Sequence, residues 1–112
     1  MPYVNYIEFN VGDVTESQRF YKEVFGWDPQ AWGQDDYLVA SHGDEVGIDT
    51  GITTAEVGEP ITVATITVDD LAGYMAKVIV AGGEIVVPKF SIPGLGHACY
   101  FTDTQGMVVG LH

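Results

Sequence analysis

His97 and Cys99 stand two residues apart in the stretch HACYF. On a strand, side chains two apart point the same way, so both belong to one face. A reactive thiolate needs an imidazole within hydrogen-bond reach. Strand neighbours of this kind lie about 7 Å apart at the backbone, too far for that pairing. The two residues therefore read as a buried thiol beside a histidine that faces a ligand or the solvent. His42, between Ser41 and Gly43, reads as an exposed turn residue. The paired acids Asp35-Asp36 and Asp69-Asp70 suit turn and helix-cap chemistry better than paired catalytic carboxylates. Gly94-Leu95-Gly96 lacks both the helix and the lysine of a phosphate-binding loop. Trp27, Trp32, Tyr37, Tyr100 and Phe101 are aromatic enough to line a pocket. The same residues suit a core, since aromatic side chains supply much of the burial in a small domain.

These groups must be positioned by a chain of 112 residues, enough for one ordinary domain or two small modules sharing a core. Such a chain buries about 65% of its unfolded surface and needs no staples. A hydrophobic fraction of 46% marks it as globular. Sixteen acids against four bases leave a formal net charge of -12. That charge argues against nucleic acid or an anionic lipid surface as partner. It reads as solubility or adaptation to a salty cytoplasm, with a cationic partner as the sharper alternative. The single Cys99 cannot close an intrachain disulfide, and no basic-then-apolar leader opens the chain, so a cytoplasmic location is expected. No apolar run approaches the roughly 18 residues of a membrane span.

The pattern of elements is repeated. Tyr3 to Val11 alternates as a strand, with Tyr3, Asn5, Ile7, Phe9 and Val11 on one face and Val4, Tyr6, Glu8 and Asn10 on the other. Asp13 or Thr15 caps a helix whose stripe is Val14, Phe20, Tyr21, Val24 and Phe25, and Gly26 closes it. WDPQAW, DYLVASH and EVGIDTGI then read as a small antiparallel meander. Residues 53–60, TTAEVGEP, read as a linker. In the second half Ile61 to Val68 is a strand, Asp69 or Asp70 a cap, Leu71 to Ala81 a helix, and Gly82-Gly83 its stop. Strands follow near Glu84–Val87, His97–Phe101 and Met107–Leu111. At an offset of 57, Val11 meets Val68, Asp13 meets Asp70, Tyr21 meets Val78 and Gly26 meets Gly83.

The expected fold is α+β: two βαβββ modules, residues 1–52 and 61–112, forming a curved, half-open, eight-stranded mixed sheet with its helices outside. A lone module has a sheet face it cannot cover, so two bury more together. A concave face results, and small ligands settle in concave faces.

The residues also carry a resemblance. FYKEVFGW, AGGEIVVP, IPGLGHACYF and DTQGMVVGL stand in the order and spacing of the vicinal oxygen chelate superfamily, and the likeness covers essentially the whole chain. That group includes glyoxalase I, bleomycin resistance proteins, fosfomycin-modifying enzymes and extradiol dioxygenases. The resemblance implies a homodimer, in some members with modules exchanged between chains. In metal-dependent members it implies His, Glu or Gln ligands on the first and last strands of each module, around a divalent ion that polarises substrate oxygens. The matching positions here are Tyr6, Val63, Gly110 and, in the first module's last strand, Gly47. Valine and glycine carry no side-chain donor, and a phenol with pKa near 10 seldom binds such ions.

Relocated donors are the alternative. Glu8 should share a face with Tyr6, Asp49 with Gly47, Thr65 with Val63 and His112 with Gly110, so a Glu8-Asp49-His112 cluster could hold an ion one layer away. Otherwise Glu8 is a hydrogen-bonded cavity carboxylate and His112 a loose chain end. The resulting expectation is a metal-free small-molecule-binding protein without cofactor, its ligand met by Tyr6, Glu8, Trp32, Tyr37, Asp49, Thr65, His97, Tyr100, Phe101 and His112. The alternative is a glyoxalase-like lyase or isomerase, or a dioxygenase-related enzyme, that uses a relocated metal or Glu8 as general base.

Overall fold

Asp13 and Asp70, equivalent in the internal repeat, start the two helices by the same chemistry. The Asp13 carboxylate accepts from the Glu16 N–H at 3.1 Å, and Asp70 accepts from the Gly73 N–H at 3.0 Å. Each satisfies a first-turn donor that has no partner within its helix. The structure is a computed structural model that describes residues 2–54, 61–92, 94 and 96–112. Among these are two α-helices and eight strands, an α+β architecture in which βαβββ occurs twice.

Contacts divide the chain into two compact units, Tyr6–Val63 and Ala64–His112, the latter including Met1–Asn5. The first contains most of β1 (Tyr3–Val11), then α1 (Val14–Phe25), β2 (Gln30–Trp32), β3 (Gln34–Ala40) and β4 (Asp49–Thr54). Its strands are ordered β2-β3-β4-β1, with β1 parallel to β4 and the other pairs antiparallel. The second contains the greater part of β5 (Ile61–Thr67), then α2 (Leu71–Val80), β6 (Glu84–Ile92), β7 (Gly96–Thr102) and β8 (Val108–Leu111). Its order is β5-β8-β7-β6, again with one parallel pair, β5 and β8.

In each unit one sheet face is covered by the helix. Val14 of α1 is buried with Leu38 and Ile52, and Phe9, Val11 and Tyr21 pack around them. Of the apolar stripe expected on α1, Val14 and Tyr21 meet this core, while Phe20, Val24 and Phe25 are exposed. Val14 and Tyr21 lie two turns apart on one line, and Phe20 sits about 100° away around the helix. On α2 the core-facing line is Leu71, Tyr74, Met75 and Val78, packed on Cys99, Phe101 and Leu111 at helical spacing. Gly26, at φ 72°, ends α1 and donates to the Lys22 carbonyl at 3.0 Å. That left-handed backbone suits a residue without Cβ.

Three strand boundaries move from expectation. β4 begins at Asp49 rather than Glu45, because residues 42–47 are spent on a turn in which Glu45 N–H donates to the His42 carbonyl at 3.0 Å. It runs on to Thr54, into the stretch expected as linker, whose residues 55–60 lie outside the described residues. β6 extends to Ile92, with pairing slips between Ile85 and Val87 and between Val87 and Phe90. Pro88 falls in the second slip, where its missing N–H takes no ladder bond. Pro93 and Leu95, between β6 and β7 in the sequence, also lie outside the described residues.

Replacing Asp13 by Ala is expected to lower unfolding stability by about 1 kcal/mol, and by Asn far less, since the amide oxygen still caps. Urea unfolding of the two variants measures the difference.

Candidate functional site

The open face of the Tyr6–Val63 unit follows from register. Tyr6 pairs with Asp49, Glu8 with Gly51 and Asn10 with Thr53 across β1 and β4. Tyr37 pairs with Thr53 and Val39 with Gly51 across β3 and β4. Directly paired residues share a face, so Tyr6, Glu8, Asn10, Tyr37, Asp49 and Gly51 stand together, opposite the side covered by α1.

Glu8 is only 5% exposed. A buried carboxylate needs donors, and two neighbours supply them. Tyr37 O–H donates to Oε2 at 2.9 Å and Asn10 Nδ2 donates to Oε1 at 3.3 Å. The Tyr6 hydroxyl meets the Tyr37 hydroxyl at 2.7 Å. Burial pushes the Tyr6 phenol up to about 12, helped by the charges of Glu8 and Asp49 and opposed by the bond to Tyr37. Burial, then the Glu8 charge, raises Tyr37 further still. Both phenols therefore hold their protons at neutral pH.

Gly51 makes this packing possible. A Cβ built there would fall 2.1 Å from the Tyr6 hydroxyl oxygen and 2.6 Å from that of Tyr37. No alanine fits without moving both rings. The signal was present in the sequence, because a glycine inside a strand marks close approach by another group. Asn10, two residues beyond Glu8, was legible by the same alternation.

The Ala64–His112 unit builds its open face differently. Thr65 pairs with Gly110 on β5 and β8, and Tyr100 pairs with Gly110 on β7 and β8. A Cβ at Gly110 would lie 2.6 Å from Thr65 Oγ1, so the threonine hydroxyl occupies that space. Tyr100 stacks on Phe90 with centroids 6.0 Å apart. Phe101, expected to line the ligand pocket, is instead buried in the core with Cys99 and Leu111, because it alternates with Tyr100. His97, also expected to meet the ligand, is exposed near the start of β7 but alternates onto the face that α2 covers rather than the open one. Cys99, on the same face, is wholly buried, and burial raises its thiol above the ordinary value.

His112 is not a loose end. Its N–H donates to the Ile66 carbonyl at 3.0 Å, and its carbonyl accepts from Val68 N–H at 2.7 Å. Thr67 O–H donates to Asn5 Oδ1 at 2.6 Å. The 2.7 Å contact of Thr67 Oγ1 with His112 Nε2 then requires the ring nitrogen to carry a proton, which the network assigns. Asn5 and Thr67 went unnoticed in the sequence, since neither is distinguished by a pattern.

The pairing also corrects one inferred ligand position. In the second unit the last-strand position Gly110 pairs two residues after Val63, at Thr65. Two residues after Tyr6, at Glu8, the partner is Gly51. Gly51 thus replaces Gly47, which lies in the turn before β4. The four positions are Tyr6, Gly51, Val63 and Gly110, and they offer one protonated phenol between them. The relocated triad is not gathered either. Asp49 Oδ1 accepts from the His42 N–H at 3.0 Å, while Glu8 and His112 are engaged as described. Among the described residues no three His, Cys, Asp or Glu side chains are grouped to hold a metal. A divalent-metal site of the implied kind does not fit these residues.

The same unit holds a broad hollow of about 1010 Å³ whose lining includes Trp27, Trp32, Val39, His42, Val46 and Asp49. It reaches the open face at Val39 and Asp49. Trp27 gives one side to the core, stacking on Tyr21 at 5.2 Å, whereas Trp32 is about half exposed.

Comparison with known proteins returns a consistent picture. A family model described as the Glyoxalase/Bleomycin resistance protein/Dioxygenase superfamily matches residues 3–111. Two curated relatives, each named "Putative glyoxylase CFP32", from Mycobacterium bovis and Mycobacterium tuberculosis, are 29% identical over 119 residues. The match covers 96% of this chain and 44% of each relative, so the chain spans less than half their length. The fold is shared with an NAD-dependent benzaldehyde dehydrogenase structure from Legionella pneumophila, at TM-score 0.70, 14% identity and 96% coverage of both chains. It is shared also with the Mn(II)-bound glyoxalase from Novosphingobium aromaticivorans, at TM-score 0.69, 20% identity, and coverage of 96% of this chain and 37% of that one. A Streptomyces coelicolor methylmalonyl-CoA epimerase matches at TM-score 0.66 and 12% identity, over 96% and 94% of the two chains.

Two outcomes follow. Gly51→Ala is expected to destabilise the fold by about 1–3 kcal/mol through overpacking, with partial recovery in the Gly51→Ala, Tyr6→Phe double variant, as urea unfolding would measure. For His112, burial lowers the folded pKa below its ordinary 6.5. Neutral His112 thus contributes stability that is complete above the unfolded value and is lost as pH falls from about 6.5 through the folded pKa. Subtracting the stability-against-pH curve of His112→Gln from that of the native chain should show this loss below pH 6.5; a flat difference contradicts it.

Proposed function

The chain belongs to the glyoxalase/bleomycin resistance protein/dioxygenase superfamily, and on that premise we propose that it is a metal-free small-molecule-binding protein. The observation that carries the proposal is the Tyr6 phenol. It stands where a Cβ of Gly51 would begin, so the room for a metal-ligand side chain is taken by a ring held on Tyr37 and, through it, on Glu8. A shell that keeps its framework and fills its ligand positions with phenol, valine and glycine supports recognition more than Lewis-acid chemistry.

The ligand sits on the open face, with Glu8 as its electrostatic anchor and Tyr6, Tyr37, Asp49 and Trp32 around it. Thr65, Tyr100 and His112 are the corresponding candidates in the second unit. The net charge of -12 favours a cationic or hydrogen-bond-donating molecule. The proposal includes a homodimer, which the exposed Phe20, Val24 and Phe25 of α1 support as surface awaiting cover. It also includes a cytoplasmic location, consistent with the lone buried thiol of Cys99. No helix among the described residues is long and apolar enough to cross a membrane.

A second reading keeps the family's lyase or isomerase chemistry, with Glu8 as base. The burial of its carboxylate at the centre of the open face favours it. A melting-shift screen of small organic cations and alcohols separates the readings. A binder present at about a hundred times its Kd should add about 2.7 kcal/mol, a rise of roughly 10 °C for a domain of this size. The rise should shrink in Glu8→Gln, and no stoichiometric Zn, Ni, Mn or Fe should accompany the purified protein. Turnover of a hemithioacetal, lost in Glu8→Gln, would overturn binding in favour of catalysis.

A further inference from the structure

We propose that the Tyr6 hydroxyl oxygen is the ligand-reading atom of this face, and that it selects molecules presenting a hydrogen-bond donor: a hydroxyl, an amine or an amide N–H. This rests on the binding reading above and names its ligand class. A count of protons leads to it. A phenol has one proton to give and lone pairs to receive. Tyr37 gives its proton to Glu8 Oε2 at 2.9 Å. In the 2.7 Å contact with Tyr6 the Tyr37 oxygen can therefore only accept. Tyr6 must turn its single proton inward to Tyr37, and what remains at its oxygen is lone pairs.

The surroundings agree with an acceptor site. Asp49 is the strand partner of Tyr6, and Glu8 is two residues along the same face. The unit's two cations, Arg19 and Lys22, are both on α1, which packs on the other face. Arg19 is moreover paired there with Glu16 and Glu23. A ligand carbonyl or ether placed at Tyr6 would set lone pair against lone pair in a half-buried site, and the lost hydration would go uncompensated. A ligand donor completes the chain that ends on Glu8, and each bond polarises the next.

The test uses matched probes on the full chain, followed by amide NMR shifts of Tyr6 and Gly51. Phenol and its O-methyl ether anisole differ by one donor, and benzaldehyde offers only an acceptor. Phenol is expected to move both amides with an affinity at least about fivefold above that of anisole or benzaldehyde, as one net hydrogen bond supplies. Tyr37→Phe removes the oxygen that receives the Tyr6 proton, so Tyr6 can donate outward and benzaldehyde should gain on phenol. Tyr6→Phe should bind phenol and anisole alike. Equal binding of phenol and anisole by the native chain, or an unchanged preference in Tyr37→Phe, overturns the donor rule and leaves the binding reading standing. Shifts confined to other residues overturn the placement at Tyr6. Absence of any small-molecule melting shift, by contrast, defeats the binding reading itself.

Discussion

The Tyr37 hydroxyl donating to a buried Glu8 carboxylate is the constraint from which the open face of the first unit is built. A carboxylate at 5% exposure loses most of its hydration, and charge-assisted hydrogen bonds must replace it. Tyr37 and Asn10 do so from two directions. Once the Tyr37 proton is committed, Tyr6 has one role left, to donate to Tyr37, and its ring must cross the strand where β4 passes. Gly51 is the residue that lets it. One buried charge thus decides the residue types at three further positions on three strands.

The two units solve the same packing problem with different chemistry. Both start the helix with an aspartate and cover one sheet face with apolar residues at helical spacing. Their open faces diverge. In one, two phenol hydroxyls occupy the space above Gly51, and in the other a threonine hydroxyl fills the space above Gly110. Duplication preserves backbone geometry because the helix-facing core depends on it, whereas the open faces are free to carry unlike side chains. Like frames thus carry unlike open faces. Among the described residues every buried side-chain nitrogen and oxygen has a partner, so both faces are satisfied polar surfaces without orphaned groups.

Much of the frame was legible because it rests on local physics. The strand alternation of Tyr3 to Val11, the two aspartate caps and the stop at Gly26 follow from periodicity and capping, and the structure has each of them. Less was legible where contacts join distant residues. The role of Gly51 needed the register of β1 on β4, which no local pattern states. Reading Gly47 as its equivalent failed because the turn at residues 42–47 takes up the residues before β4. Phe101 was misread as pocket lining because an aromatic residue on a strand does not announce its face until a neighbour, here Tyr100 against Gly110, fixes the register. His112 looked free because it follows the last strand, yet its backbone completes the ladder with β5.

The Glu8, Tyr37 and Tyr6 chain keeps both phenolic protons and leaves no donor set for a divalent cation among the described residues of this face. Proton NMR of the phenolic hydroxyls during titration with Zn(II) measures it most directly. The account predicts two slowly exchanging hydroxyl resonances, one near Glu8 and one between the tyrosines, that persist unshifted through a full equivalent of metal. Loss of both resonances at one equivalent, with stoichiometric uptake of the ion, would contradict it.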